Sequence, residues 1–125
     1  MNSAKLVIPC TLPGLNEYIA AERTHRQIAA KMKREAERVI GLAIRVQLHG
    51  VKFERPVFLH YLWVERDRRR DKDNIDFAKK FIQDALVRAK VLPNDGWKNI
   101  ENWKSEFTVD KQRPRVEVEI REAQK

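Results

Sequence analysis

Between Arg66 and Asn74 the chain reads RDRRRDKDN, four arginines and one lysine set among three aspartates. Two chemistries call for such a mixture. Arginine forks bind phosphate oxygens bidentately. Carboxylates held close together repel one another unless a cation joins them, and hard cations such as Mg²⁺ take carboxylate oxygens while keeping several waters. A divalent cation beside an anionic substrate is what metal-assisted phosphodiester hydrolysis requires. The plainer alternative is a solvated surface turn, the usual fate of a charge run.

The pattern continues past the turn. From Asn74 to Lys90 the residues Ile75, Ala78, Ile82, Ala85, Leu86 and Ala89 recur with helical period, which predicts an amphipathic helix with Asp73 as its N-cap. At about 100° per residue, Asp73, Lys80 and Asp84 fall within about 40° of one another on the face opposite that stripe, with Asp76 beside them. An ordinary surface helix would show the same face through Asp76–Lys80 and Lys80–Asp84 pairs, each worth only about 0.2–0.5 kcal/mol. A further carboxylate, Asp95, follows in LPNDG (Leu92 to Gly96), a run of turn residues. Asp71, Asp73 and Asp95 are therefore expected to converge on a divalent ion at the mouth of a sheet. Arg66, Arg68, Arg69 and Arg70 would lie beside them as a phosphate-binding fork.

The elements that must position these groups are legible in outline. Lys5 to Leu12 (KLVIPCTL) reads as a strand, and Pro9 within it points to a sheet edge or a bulge. Ala20 to Leu48 reads as one long helix whose apolar stripe is Ile28, Met32, Ala36, Val39, Ala43 and Val46. Lys31, Arg34, Arg38 and Arg45 form a basic stripe on another face, suited to tracking phosphates or simply to facing water. After Pro56, VFLHYLWV is expected to be a central strand buried on both faces that leads into the charge run. His60 within it reads as a sheet-face or core histidine. Trp103 to Val109 and Arg115 to Arg121 read as a hairpin joined near Asp110 to Pro114. The expected fold is α+β, a single domain over 1–125 in the order βαβαββ, with a mixed sheet and two main helices.

Composition bounds the function. A chain of 125 residues, 42% hydrophobic and 35% charged, has the makings of one folded core rather than a disordered segment. Its 26 Lys and Arg against 18 Asp and Glu give a net charge of +8, which favours a polyanionic partner. Nucleic acid fits better than a membrane surface, because no Trp/Phe/Leu-rich insertion face lies opposite the basic residues. No apolar run of about 18 residues is present and Met1 to Leu12 lacks the marks of a leader, so the expected location is cytoplasmic. Cys10, the single cysteine, excludes an internal disulfide and a cysteine-rich zinc cluster, and reads as core packing.

RRRDKDN, then KKFIQDAL, then VLPNDGW, together with a basic helix before the central strand, resemble the RusA family of Holliday junction resolvases of phages and prophages. The matching part runs from Arg68 to Trp97. D-x-D-N followed by a helix and Asp is fairly specific, whereas D-x-D alone is weak. The resemblance implies a RusA-like homodimeric endodeoxyribonuclease of DNA recombination and repair, which nicks four-way DNA symmetrically with Mg²⁺ or Mn²⁺. By position, Asp71 and Asp73 match the family's paired metal-binding aspartates, Asp95 its third acid and Lys80 its catalytic lysine. Asn74 follows the second aspartate as the family pattern does. The lysine spacing departs from the best-studied pattern by about three residues. Counting back from K-x-x-x-D-A-L selects Lys80 and leaves Lys79 as the alternative. Asn94 stands where some members carry another Asp. In this picture Asp71, Asp73 and Asp95 hold the metal, Lys80 neutralises charge on the scissile phosphate, and Arg68, Arg69, Arg70, Lys31, Arg34 and Arg38 bind flanking phosphates.

Two rivals follow from the same residues. One is a non-catalytic basic nucleic-acid-binding module whose acids and arginines are internal ion pairs. The other is a metal-dependent nuclease of other branched DNA or of RNA.

Overall fold

The computed structural model describes residues 2–123. Its elements are β1 (Ser3–Ile8), α1 (Leu15–Thr24), α2 (Arg26–Gln47), β2 (Val57–Glu65), α3 (Lys72–Asp76), α4 (Lys79–Arg88), β3 (Ile100–Val109) and β4 (Arg115–Glu122). The class is α+β, with one four-stranded mixed sheet in the order β1-β4-β2-β3. β3 runs parallel to β2, and β4 lies antiparallel to both β1 and β2. The C-terminal ends of β1, β2 and β3 therefore share one end of the sheet. Among the described residues no helix is long and apolar enough to cross a membrane.

The helices cover one face of the sheet only. On that face Val57, Leu59, Tyr61 and Trp63 of β2 are fully buried against Leu6, Ile8, Val116, Val118, Ile120 and the apolar sides of α2 and α4. On the opposite row of β2, Phe58, His60 and Leu62 are half-buried, and Val64 near the strand's end is fully buried. The expectation of a strand buried on both faces thus gives way to one covered and one open face. His60 lies on the open face with Nε2 2.5 Å from Glu106 Oε1. β1 is an edge strand that ends just before Pro9, and Cys10 is half-buried against the core, with burial pushing its thiol pKa up.

Three expectations about elements are corrected. The long helix is two, because His25 sits between them in extended backbone (φ −165°, ψ 124°) and its Nδ1 accepts from the Gln27 N–H at 3.1 Å, capping α2. The buried row of α2 is Ala29, Ala36, Ile40, Ala43 and Ile44, whereas Ile28 and Val46 of the expected stripe are 49% and 79% exposed. Both rows have three-and-four spacing, and the small alanines let the helix approach the sheet closely. The second helix is likewise broken, at Phe77 and Ala78, and begins at Lys72. Asp71 therefore occupies the N-cap position, without a side-chain cap bond, while Asp73 Oδ1 accepts from the Asn74 N–H at 2.9 Å inside the first turn.

The hairpin is not formed. β3 and β4 flank β2 on opposite sides, and the loop 110–114 crosses the end of β2. The step past one strand is about 9–10 Å, well within the reach of such a loop. Asp110 fixes the crossing: its N–H donates to Glu65 O at 2.9 Å, and its carboxylate accepts from the Gln112 and Arg113 N–H groups at 3.1 and 3.2 Å.

Candidate functional site

Beyond the C-terminal ends of β2 and β3 lies a cleft of about 730 Å³ lined by Glu65, Asp67, Arg68, Arg70, Asp71, Lys72, Asp73, Ile75, Phe107, Thr108 and Val109. In open α/β sheets the crevice past the carboxyl ends of parallel strands is the usual ligand position, and β2 and β3 are the hydrogen-bonded parallel pair here. The charge run turns here because β2 ends at Glu65 and α3 begins at Lys72, so both aspartates of the D-x-D lie at the start of a helix. Asp71 and Asp73 are exposed, as are Arg68 and Lys72. Two exposed carboxylates in a cleft that also holds an arginine and a lysine have the chemistry to take a hard cation and a phosphate oxygen.

Arg70 is the inward-facing member of the run. Its Nε and Nη2 donate to the two carboxylate oxygens of Glu65 at 3.0 and 2.9 Å, and its Nη1 donates to Leu12 O at 2.9 Å and Glu17 Oε1 at 3.2 Å. Burial disfavours its charge, but the bonds to Glu65 and then Glu17 outweigh that and hold its pKa above the ordinary arginine value. Arg70 thus ties the end of β2 to α1 and to the segment after β1. Arg69, by contrast, is 89% exposed in its side chain and among the described residues pairs only with Asp67, at 3.5 Å. Asn74 is buried under the same turn, with Oδ1 accepting from the Asn16 N–H at 2.7 Å. Gly14 gives it room, since a Cβ there would lie 2.6 Å from Asn74 Oδ1.

The other expected residues lie elsewhere. Lys80 is exposed and pairs with Asp84 at 3.2 Å and Asp95 at 3.9 Å, and neither Lys80 nor Asp95 lines the cleft. Lys79 pairs with Asp76 and lies over the Trp103 ring at 5.3 Å. Asp76 also accepts from the Ser105 hydroxyl, which in turn accepts from Trp63 Nε1 at 3.1 Å. Lys31, Arg34 and Arg38 are exposed on α2, with Arg38 paired to Glu35 at 3.2 Å, and none of the three lines the cleft. Among the described residues no group of three or more His, Cys, Asp or Glu side chains is placed to hold a metal ion. Asp71 and Asp73 both line the cleft, and Asp95 does not.

No family model and no curated protein matches this chain. What the cleft can do therefore rests on its own chemistry. The donor set fits Mg²⁺, an ion that is commonly bound through one or two carboxylates with waters and substrate phosphates completing its shell. Sequence reasoning picked out the two aspartates and missed the supporting layer, Glu65, Glu17, Gly14 and Asn16. Its only sequence signal was one glutamate ending an apolar strand and a glycine after a proline.

Proposed function

We propose that this chain is a metal-dependent endodeoxyribonuclease that resolves four-way DNA junctions by paired nicks, acting as a homodimer on DNA in the cytoplasm. The observation that carries the reading is the cleft whose lining includes the exposed Asp71 and Asp73 together with Arg68 and Lys72. Asp71 and Asp73 would hold the divalent ion, Mg²⁺ or Mn²⁺, which when bound supplies an activated water and a Lewis acid for the phosphodiester. Arg68 and Lys72 orient the phosphate from the cleft wall, and exposed Arg69 reaches a flanking phosphate. The roles of Asp95 and Lys80 rest on the RusA resemblance alone, since the two contact each other away from the cleft.

A labelled four-way junction, incubated at low salt with Mg²⁺, Mn²⁺ or EDTA, tests this with wild type and Asp73→Asn side by side. Paired nicks that need metal and vanish in the variant are expected. Cleavage at the parental rate by Asp73→Asn would overturn the assignment. Comparison with linear duplex, flap and RNA substrates separates a resolvase from other nucleases.

The second reading is a basic nucleic-acid-binding module without catalysis. It is favoured by the internal pairing of charges in the run and in the helix after it: Arg70 with Glu65 and Glu17, Arg69 with Asp67, and Lys80 with Asp84 and Asp95. It requires tight, salt-sensitive binding that EDTA leaves unchanged, with no cut.

A further inference from the structure

Among the described residues β3 ends the sheet with a free edge. Ile100–Val109 pairs with β2 on one side only, and Glu101 to Lys104, Glu106, Thr108 and Val109 are exposed. Such an edge presents unpaired N–H and C=O groups to any incoming strand, and natural sheets blunt it with short strands, prolines or bulges. β3 has ten residues and no proline, and the one register shift against β2 lies at its start, opposite Val57 and Phe58. A typical strand has about five or six residues.

The side chains along this edge read symmetrically about Ser105: Trp103, Lys104, Ser105, Glu106, Phe107. We propose that β3 pairs antiparallel with β3 of a second copy of this chain, about a two-fold axis through Ser105. Each Lys104 then faces Glu106 of the other copy on the open face of the sheet, the face that holds their β2 neighbours His60 and Leu62. Each Trp103 faces Phe107 of the other copy on the helix-covered side, beside Leu59 and Trp63. Opposite charges and aromatic pairs directly across strands are the stabilising unit of a sheet. The register is selected as well: moving the axis one residue either way sets Lys104 against Lys104 or Glu106 against Glu106. Trp103 is 47% exposed, with Lys79 over its ring.

The pairing would make one continuous sheet with the helices of both copies on one side. Val109 is four residues from the axis, so the two clefts would lie at opposite ends, their strand ends roughly 26 Å apart at about 3.3 Å per residue. This deepens the dimeric part of the proposed function and is independent of its chemistry.

Sedimentation equilibrium without DNA or metal tests it. Wild type should dimerise, and Lys104→Glu and Glu106→Lys should each raise the dimer dissociation constant on the order of tenfold, since both cross-strand pairs become like-charged. An equal mixture of the two variants should recover the wild-type constant, because acidic positions of one then face basic positions of the other. Amide exchange of wild type should slow across Glu101–Val109 as concentration rises, a readout that does not depend on either variant folding. A monomer at all concentrations, a dimer that both variants leave unchanged, or exchange in β3 that ignores concentration overturns the proposal. None of these results bears on cleavage, and loss of nicking in Asp73→Asn does not bear on β3.

Discussion

Arg69 and Arg70 are neighbours with opposite duties. Glu65 is 7% exposed and its two oxygens are both held by Arg70. Arg70→Ala would leave that carboxylate buried and unpaired, which for fully buried pairs costs about 3–5 kcal/mol. With Arg70 itself partly open to water, about 2–3 kcal/mol is expected in urea denaturation. Arg69→Ala should change stability by no more than about 0.5 kcal/mol. It should instead weaken DNA binding across all sequences and lower the salt slope by about one. If the two variants were equally stable, the clamp assigned to Arg70 would be wrong. The sequence shows that this run is unusual, but not which arginine turns inward. That choice is made by Leu12 and Glu17, more than fifty residues away along the chain and reachable only through the packing of α1 against α2 and α3.

At the scale of elements, the types and most of the places of the helices and strands are legible because periodicity reports which residues face a core. Partnership is not. The alternation in RVEVEIR marks β4 as a strand, yet an interior strand and a hairpin arm look the same in sequence. The crossing over β2 is fixed by Asp110, a contact with the end of another strand. The same limit explains Asp95: it follows α4 as expected, but α4 carries it to Lys80 and not to Asp71 and Asp73. Asp95→Asn therefore discriminates between two origins of its role. Loss of nicking at unchanged stability would make it catalytic, and unchanged nicking would reduce it to a partner of Lys80. A second element-level test concerns the join between α1 and α3. Gly14 has φ −90°, an ordinary conformation, so Gly14→Ala should be costly only because its Cβ meets Asn74 Oδ1. Asn74→Ala alone should cost about 1–2 kcal/mol by orphaning the Asn16 N–H. Combined, the two should cost clearly less than their sum, since the second change removes the obstacle to the first. Strict additivity in denaturant titrations would refute the contact.

For the whole molecule, the net charge of +8 bears on the response to acid. The sheet's open face carries a charge ladder in which Glu117 accepts from Lys5 at 2.9 Å and from Arg115 Nε at 2.7 Å. The bonds from Lys5 and Arg115 hold its pKa below the ordinary glutamate value of 4.5. Asp110 is lowered from 3.8 by the Gln112 and Arg113 N–H groups first and by Arg115 after them. A carboxylate that is harder to protonate when folded makes the unfolded chain bind more protons in acid, so stability rises with pH through that window. The contribution of Glu117 is complete above its ordinary value, drains as pH falls below about 4.5, and is gone once pH passes the lowered folded value. Arg115, whose pKa is raised, stays charged throughout this range. Protonation also raises the positive charge of a chain that already carries an excess, so self-repulsion adds to the loss. Thermal melts should accordingly be flat from neutral pH to about 5 and fall below about 4.5. Glu117→Gln should lower the neutral-pH midpoint and make the acid fall shallower, because part of what acid removes is already absent. Superimposable wild-type and Glu117→Gln curves across the whole range would show that Glu117 and its bonds to Lys5 and Arg115 contribute nothing to folding or to its response to acid.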